Sequence, residues 1–380
     1  MAVFFFLAAA AFVLYTLIGY PLLLHLLSRF RDRPVQREFQ PRSVSILLPV
    51  FNGERFLAAK LDSILSLHYP PEQIEVFVLS DGSTDGTAEI ANRFTGDRLH
   101  FHALPRGGKA AALNAGLALA RGEILFFTDV RQSLEPDSLH HLVACFADPT
   151  VGVVSGELVI RDGNTAEEAN VGLYWKYEKW LRRRLSAMDS VLGATGCIYA
   201  MRRSLARPMP PGCLLDDVFL PMQAFFAGFR VLFDDRARAY DYPTSLNSEF
   251  RRKVRTLAGN YQLIGYMPQL LGPSNRLWLH FVSHKVARLL LPFALLAALG
   301  AAPWLPWPWN LVCTVAQVAG YTLALLDFRL PDGFPLKKLT TPLRTFVVLM
   351  AASFCAALIL IRPKTEFWVQ TQVSEKQEKA

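Results

Sequence analysis

The sequence contains few cysteines, and these lack the spacing of a metal site or of a disulfide framework. The five are Cys145, Cys197, Cys213, Cys313 and Cys355. An odd number cannot pair completely within one chain, and no two of them have the close spacing typical of zinc ligands. We therefore expect each cysteine to be a small buried apolar residue.

Two glycine-rich patterns that mark common nucleotide sites are also missing. The chain contains neither G-x-G-x-x-G nor G-x-x-x-x-G-K-[ST]. The first pattern is typical of dinucleotide-binding folds and the second of P-loop ATPases. Their absence removes the main support for a nicotinamide-dependent enzyme or an ATPase.

Charged residues are sparse for a soluble enzyme. They make up 19% of the chain, whereas 52% is hydrophobic, and 40 basic against 32 acidic residues give a net charge of +8. The basic clusters lie at 29–42, 251–255 and 337–344, beside apolar segments. We interpret the basic excess as membrane flanking, and with no basic stripe elsewhere we expect no nucleic-acid partner.

Four apolar runs have about the length that crosses a bilayer as a helix, which is about 20 residues. They are 3–27, 286–304, 308–326 and 345–361. The first run has no basic residue before it, so residues 1–28 are expected to be a retained anchor rather than a cleaved signal. Residues 246–275 are expected to lie in the membrane interface, 280–362 to form three more spans, and 363–380 to be a polar tail on a side left open.

The arginines that follow the first run set the expected orientation. Arg29, Arg31, Arg33 and Arg37 come directly after it. The positive-inside rule then places the amino terminus outside and the following residues in the cytoplasm. We therefore expect a multi-pass protein of the plasma (inner) membrane with a cytoplasmic domain.

That domain, residues 43–245, alternates short apolar strands with helical patterns. This rhythm predicts an α/β fold with a Rossmann-like mixed, mostly parallel sheet. The run Ile124–Thr128 is apolar and rich in aromatic residues, which predicts a strand buried on both faces. It ends at the carboxylate of Asp129.

Polar residues follow three of the predicted strands at their carboxyl ends. The first strand is followed by Asn52, Gly53 and Glu54, the second by the run 80–87, and the central one by Asp129. These ends share one edge of a parallel sheet, where open α/β sheets bind their ligands. A carboxylate there can hold a divalent cation against a diphosphate. Arg106-Gly107-Gly108-Lys109 opens a further helix, and a lysine at a helix amino terminus favours an anion.

Taken together, these segments resemble glycosyltransferase family 2, whose fold is called GT-A. The resemblance is carried by Leu48-Pro49-Val50-Phe51-Asn52, by Ser80-Asp81-Gly82-Ser83-Thr84-Asp85-Gly86-Thr87, by Gly108-Lys109-Ala110-Ala111-Ala112-Leu113-Asn114 and by Phe127-Thr128-Asp129. It covers about 43–245, and the flanking apolar runs are similar to those of membrane-bound members that make or decorate polysaccharides.

The resemblance implies a chemistry and a set of site residues. It implies a nucleotide-sugar donor, expected to be a UDP-sugar, inversion at the anomeric carbon, and Mg²⁺ or Mn²⁺ held by Asp129. The acceptor is expected to be a glycan or a lipid-linked molecule. Lys109 is expected near the diphosphate. Pro49, Asn52, Glu54 and Asp81 are implied to line the nucleoside, and Ser83 is expected to be a further donor-binding residue.

The resemblance also assigns a base for the acceptor hydroxyl. Asp216-Asp217-Val218-Phe219-Leu220 matches the position of the family's Glu-Asp-x-x-Leu motif. Asp217 is then the catalytic base and Asp216 its acidic neighbour. The preceding turn, Gly193 to Gly196, resembles the family's acceptor side.

Two positions depart from the family pattern. Arg131 stands where a second metal-binding carboxylate is usual; it either stabilises the diphosphate directly or pairs with a surface acid such as Glu135. The family's processive members carry Gln-x-x-Arg-Trp on an interfacial helix, and here the matching residues run from Arg252 to Thr256. Arg255 keeps the arginine expected to bind diphosphate, but the tryptophan is missing.

These departures leave alternatives open. Without the tryptophan, transfer of a single sugar to a polyprenyl-type lipid carrier competes with polysaccharide synthesis. Without the second carboxylate, a catalytically inactive membrane partner that binds nucleotide is a further alternative, against which the intact Asp217 argues.

Overall fold

The computed structural model describes residues 1–160, 166–242, 246–331, 334–362 and 367. Its contacts divide the chain into two compact units. We call Ser28–Asp162 with Arg182–Tyr242 the sheet unit, and Met1–Leu27 with Gly163–Leu181 and Pro243–Ala380 the helical unit. The predicted polar tail lies, apart from residue 367, outside the described residues.

The bounds of the elements are as follows. The strands are β1 (Val44–Val50), β2 (Ile74–Asp81), β3 (Leu99–Leu104), β4 (Ile124–Phe127), β5 (Ser133–Leu134), β6 (Val151–Ile160), β7 (Tyr199–Arg202) and β8 (Arg230–Asp241). The α-helices are α1 (Ala2–Leu14), α2 (Tyr20–Phe30), α3 (Glu54–Leu65), α4 (Thr87–Phe94), α5 (Lys109–Leu119), α6 (Ser138–Ala144), α7 (Ala166–Met188), α8 (Asp216–Phe226), α9 (Leu246–Tyr266), α10 (Trp278–Phe281), α11 (Ala287–Ala301), α12 (Trp309–Leu326) and α13 (Lys337–Ala356).

The strands of the sheet unit form one mixed sheet in the order β3-β2-β1-β4-β7-β6-β8-β5. β1 pairs in parallel with β2 and β4, and β2 with β3. β7 lies antiparallel between β4 and β6, and β6 pairs in parallel with β8. The predicted α/β fold with a mixed, mostly parallel sheet is thus confirmed.

The core lies along β4, as its apolar sequence predicts. All four residues of this strand, Ile124 to Phe127, are buried. Helix α5 packs closely on β1 and β2 because Gly116 faces them: a Cβ at this position would lie 2.6 Å from Leu79 Cδ1 and 3.1 Å from Leu47 Cδ2. The approach of α5 brings its first residue, Lys109, to the carboxyl edge of the sheet.

The far side of the sheet differs from the sequence prediction. The residues at 230–233 have the pattern of a short closing strand, but β8 continues to Asp241 and pairs with both β6 and the short β5, which the sequence does not predict. Ala237, Ala239 and Asp241 alternate as buried positions along this extension. Pairing on both sides therefore stabilises a strand whose residues are polar in composition, and it buries Asp241.

Four helical segments among the described residues are long and apolar enough to cross a membrane, and all but the last three residues of the first belong to the helical unit. They are Ala2–Phe30, Trp278–Trp304, Trp309–Arg329 and Lys337–Leu360. Two ion pairs lie within the unit, Asp327 with Arg344 at 3.0 Å and Glu178 with Arg288 at 3.2 Å. Pairing of this kind reduces the cost of placing charge among apolar helices.

Candidate active site at the carboxyl edge of the sheet

The carboxyl ends of three neighbouring parallel strands bring the predicted segments to one edge. β1 pairs with β2 on one side and with β4 on the other. The loops that follow begin at Phe51, Gly82 and Thr128. Because open α/β sheets bind ligands at this edge, the fold places these segments where a ligand site is expected.

Side chains of the first two loops bond each other's backbone. Asn52 Oδ1 accepts from the Thr84 N–H at 2.9 Å, and the Asn52 N–H donates to Ser83 Oγ at 3.1 Å. Glu54 Oε2 accepts from the Gly86 N–H at 3.0 Å. Asn52 has φ 48°, a left-handed conformation that asparagine tolerates better than most residues. These bonds hold the two loops together, and contact of Asn52, Glu54 and Ser83 with the donor stays a prediction.

Asp81, at the end of β2, holds the loop that precedes α5. Its carboxylate accepts from the N–H groups of Gly107 at 2.7 Å and Gly108 at 2.9 Å, and it pairs with the Arg106 guanidinium. The Arg106 guanidinium lies 3.4 Å from the centre of the Phe51 ring. Asp81 is 3% exposed, so its first role is to shape this loop.

Pro49, the remaining residue of this set, lies on β1, where it is half-buried and pairs with Leu79 of β2. The structure thus places these five predicted donor-binding residues on or beside β1 and β2. That they contact the donor stays a prediction.

Lys109 lies between two carboxylates at the start of α5. Its Nζ is 2.9 Å from Asp129 Oδ1 and 3.1 Å from Asp216 Oδ2. Burial alone would lower the pKa of Lys109, but Asp129 and Asp216 outweigh burial and raise this pKa above its ordinary value. The ammonium is therefore charged at neutral pH, and it links the strand end of β4 to the start of α8.

The predicted base stands at the amino terminus of α8. Asp216 is buried and Asp217 is half-buried. The helix dipole stabilises negative charge at this end. Asp217 also contacts the turn before β7: its carbonyl accepts from the Ala194 N–H at 2.6 Å, and a Cβ on Gly196 would lie 3.0 Å from its Oδ2. The absence of a side chain at Gly196 leaves room beside this carboxylate.

An arginine holds that turn from the other side. Arg182 donates to Thr195 Oγ1 at 2.7 Å and to the Gly193 carbonyl at 3.1 Å. Thr195 in turn bonds Ser155 through its N–H at 2.8 Å. The turn from Gly193 to Gly196 is therefore a rigid neighbour of Asp217.

Tyr199 is a site residue that sequence reasoning missed. Its ring stacks on Phe127 with the two centres 4.4 Å apart, and its hydroxyl is buried with no hydrogen-bond partner in the part of the chain that the structure describes. Burial, followed by the nearby charges of Asp216, Asp217 and Asp129, raises its pKa well above the ordinary value. No motif marks Tyr199, since its place depends on the pairing of β7 with β4.

Arg131 points to a carboxylate inside the protein. One of its terminal nitrogens, Nη2, pairs with Asp241 on β8, while Nε and Nη1 are buried and have no hydrogen-bond partner among the described residues. Gln132 Nε2 donates to the same Asp241 carboxylate at 2.8 Å. Arg131 thus forms an ion pair, but its partner is the buried Asp241 and not the expected surface acid Glu135. The other interpretation, a contact of Arg131 with the diphosphate, stays a prediction.

A divalent cation at this edge would have one carboxylate from the β4 strand end. No group of three or more His, Cys, Asp or Glu able to hold a metal occurs within the described residues. Mg²⁺ is commonly bound by one or two carboxylates together with substrate phosphates and water. Asp129 fits that mode, and it would share its carboxylate between the metal and Lys109.

Arg255, the remaining predicted donor contact, belongs to α9 in the helical unit. Its role in binding diphosphate stays a prediction.

Comparison with known proteins identifies relatives of the sheet unit. Residues 45–208 match the family model described as "Glycosyl transferase family 2". The chain is 24% identical over 265 residues to the "Probable glycosyltransferase YdaM" of Bacillus subtilis, an alignment that covers 64% of this chain and 62% of the relative. It is 22% identical over 297 residues to the "Poly-beta-1,6-N-acetyl-D-glucosamine synthase" of Staphylococcus epidermidis, covering 76% and 68% of the two chains.

A solved structure matches the fold of nearly the whole chain. It is the mannosyltransferase PcManGT from Pyrobaculum calidifontis, in complex with GDP-Man and Mn²⁺. The TM-score is 0.72 at 24% sequence identity, and the match covers 94% of this chain and 99% of that chain.

Proposed function

Residues 45–208 match the glycosyltransferase family 2 model, the sheet unit that contains them has the GT-A fold, and from this premise we propose that the chain is an inverting enzyme. It transfers a sugar from a nucleotide-sugar donor to a glycan or lipid-linked acceptor. One observation carries this proposal: Lys109 joins the metal-binding candidate Asp129 to Asp216, directly beside the base candidate Asp217. The proposed metal ligand, the cation for the diphosphate and the base for the acceptor hydroxyl thus belong to one connected group of side chains.

In the proposed reaction Asp217 accepts the proton of the acceptor hydroxyl. The hydroxyl oxygen attacks the anomeric carbon, and the bond to the nucleoside diphosphate breaks on the opposite side. A positioned base contributes on the order of 10²–10⁴ to the rate. The half-buried position of Asp217 at a helix terminus, beside the small residue Gly196, supports this role.

Lys109 is proposed to stabilise the charge that develops on the leaving diphosphate. Preorganised charges near a developing anion are commonly the largest electrostatic contribution to catalysis. Asp129 would hold a bound Mg²⁺ or Mn²⁺, which would further stabilise the same charge. Arg255 is proposed to bind the diphosphate as well.

We further propose that this is a multi-pass protein of the plasma (inner) membrane with its catalytic domain in the cytoplasm. The proposed domains are an anchor at 1–28, the catalytic domain at 43–245, an interfacial segment at 246–275 and spans within 280–362. The four apolar helical segments and the basic residues beside them support this arrangement.

The test is donor cleavage by the purified protein in detergent. UDP-sugars and GDP-sugars, each labelled in the sugar, are incubated singly with Mg²⁺ or Mn²⁺ and native membranes as the acceptor source. We expect one donor to be consumed, and Asp217→Asn to reduce its consumption at least 100-fold. Asp62→Asn, an exposed aspartate on α3, is the matched control and is expected to match the wild type. If no donor is consumed, a nucleotide-binding partner without turnover replaces the enzyme proposal.

A second candidate is transfer of a single sugar to a polyprenyl-type lipid carrier. It is favoured by Thr256, which stands where the family's processive members carry tryptophan. A missing aromatic surface weakens the hold on a growing sugar chain, since such rings stack on sugars. Product length distinguishes the candidates: a ladder of lengths indicates polymer synthesis, and one glycolipid product indicates single transfer.

A further inference from the structure

A lysine on α3 is buried next to the segment that carries Asp129. Lys60 is 2% exposed. Its Nζ donates to Thr128 Oγ1 at 2.7 Å and to the Gln132 carbonyl at 2.7 Å. A buried amine is costly unless it has good acceptors, and these two acceptors flank Asp129 on both sides in sequence.

The same segment is held at three further points. Thr128 Oγ1 donates to the Cys197 carbonyl at 2.8 Å, which ties it to the chain before β7. Gln132 and Arg131 both bond Asp241 on β8. Only Asp129 and Val130 lie between these fixed positions, and the carboxylate of Asp129 pairs with Lys109.

We propose that Lys60 is a positioning residue for Asp129, fixing both ends of segment 128–132 so that this carboxylate meets a divalent cation and the donor diphosphate. The proposal rests on the proposed function. With a single carboxylate at the strand end, any displacement of that carboxylate directly weakens metal binding. Groups that orient a metal ligand from behind typically change metal affinity about 10- to 100-fold when removed.

A purely structural role for Lys60 makes a different prediction. If Lys60 only fills space between α3 and the sheet, its loss lowers the melting temperature and leaves metal affinity unchanged. If it positions Asp129, metal affinity falls even in a variant that stays folded. The two roles are therefore separated by measuring both quantities on the same protein.

The experiment measures Mn²⁺ binding to the full-length protein by electron paramagnetic resonance, with UDP and separately with GDP. Lys60→Met removes both hydrogen bonds, and Thr128→Val removes one of them together with the bond to Cys197, while leaving Lys60 in place. Lys176→Met, an exposed lysine on α7, is the matched control, and Asp129→Asn marks complete loss. We expect Mn²⁺ to bind about 10-fold more weakly in Lys60→Met, with less weakening in Thr128→Val and none in Lys176→Met.

Activity supplies a second readout. Raising the Mn²⁺ concentration is expected to restore the rate of Lys60→Met but not that of Asp129→Asn. Wild-type Mn²⁺ affinity in a folded Lys60→Met overturns the positioning role and leaves the proposed sugar transfer intact. If Lys60→Met does not fold, unchanged Mn²⁺ affinity in Thr128→Val overturns it. A wild type that consumes donor without binding Mn²⁺ overturns it as well.

Discussion

At the scale of single residues, the interpretation of Arg131 from the sequence differs most from its contacts in the structure. It occupies the position of an expected metal-binding carboxylate, yet its guanidinium pairs with Asp241 in the interior. A buried pair of this kind contributes little when intact, but removing one partner leaves an uncompensated charge. Arg131 therefore has a structural partner whatever its contact with a ligand.

Arg131→Asp is expected to destabilise the protein by about 3 kcal/mol or more, because it removes the cation that pairs with the buried Asp241 and adds a like charge. Thermal unfolding in detergent measures this as a drop of several degrees in melting temperature. Arg93→Asp, which breaks an exposed ion pair with Glu89 on α4, is the control and should change little. Partial recovery is expected when Arg131→Asp is combined with Asp241→Arg. A single variant as stable as the wild type would contradict the pairing.

Lys60 gives the stability a dependence on pH. Burial lowers its pKa from 10.5 to about 7. Between these values the unfolded chain holds one more proton than the folded protein, so the free energy of unfolding rises with pH over this window. The contribution is at most about 1.4 kcal/mol per pH unit. We expect the difference in melting temperature between wild type and Lys60→Met to shift in favour of the wild type from pH 7 to pH 10; a constant difference would refute the lowered pKa.

Local sequence motifs identify the site residues that lie in the strand-end loops, but they do not identify the residues that contact those loops from elsewhere in the chain. The loops after β1, β2 and β4 could be identified because their glycines and carboxylates follow apolar runs. Lys60, Tyr199 and Asp241 could not, since each acts through a contact with a residue far away in sequence. Lys60 in particular has the spacing of an ordinary helix residue, and only the fold shows that it is buried.

At the scale of elements, the turn from Gly193 to Gly196 fixes the space beside α8. Gly193 has φ +134°, a conformation that other residues rarely adopt, and Gly196 lies against the Asp217 carboxylate. The turn is held by Arg182, so it cannot easily move away from an added side chain.

Gly196→Ala is expected to reduce donor consumption about 10-fold without unfolding the protein. The new Cβ would lie 3.0 Å from Asp217 Oδ2, so the carboxylate must shift by a few tenths of an ångström. Small displacements of a catalytic group are costly in rate. Gly96→Ala, at a turn where a Cβ would meet nothing within 4 Å, should keep wild-type activity. Equal rates for both variants would show that the turn does not constrain Asp217.

The length of β8 marks the limit of element prediction. Its first residues are apolar and were predicted as a strand, whereas the continuation through Asp234 and Arg238 is charged. That continuation is a strand because β6 and β5 pair with its two edges. The partners of β8 are distant in sequence, so the local sequence of residues 234–241 does not predict this part of the strand.

At the scale of the whole molecule, three tryptophans lie at the facing ends of the second and third candidate spans and in the connection between them. Trp304, Trp307 and Trp309 are 78%, 76% and 60% exposed. Tryptophan is enriched where a membrane meets water. The connection they belong to carries no charge, in contrast to the basic residues near Lys337.

We expect this connection to face the outside of the cell. Trp307→Cys should react with a membrane-impermeant maleimide in intact cells. Asp97→Cys, in an exposed loop of the sheet unit, should react only after the membrane is permeabilised. The wild type gives the background from the native cysteines. Labelling of Asp97→Cys in intact cells would contradict a cytoplasmic catalytic domain.

The bonds made by Asp81 have a consequence for protein engineering. Both of its oxygens are engaged by Arg106 and by the backbone of Gly107 and Gly108, so replacing Asp81 would release the entry to α5 and displace Lys109 with it. Arg106 is different, because its side chain is 42% exposed while it stacks on Phe51. A library built to alter donor preference should therefore vary Arg106 and keep Asp81 constant.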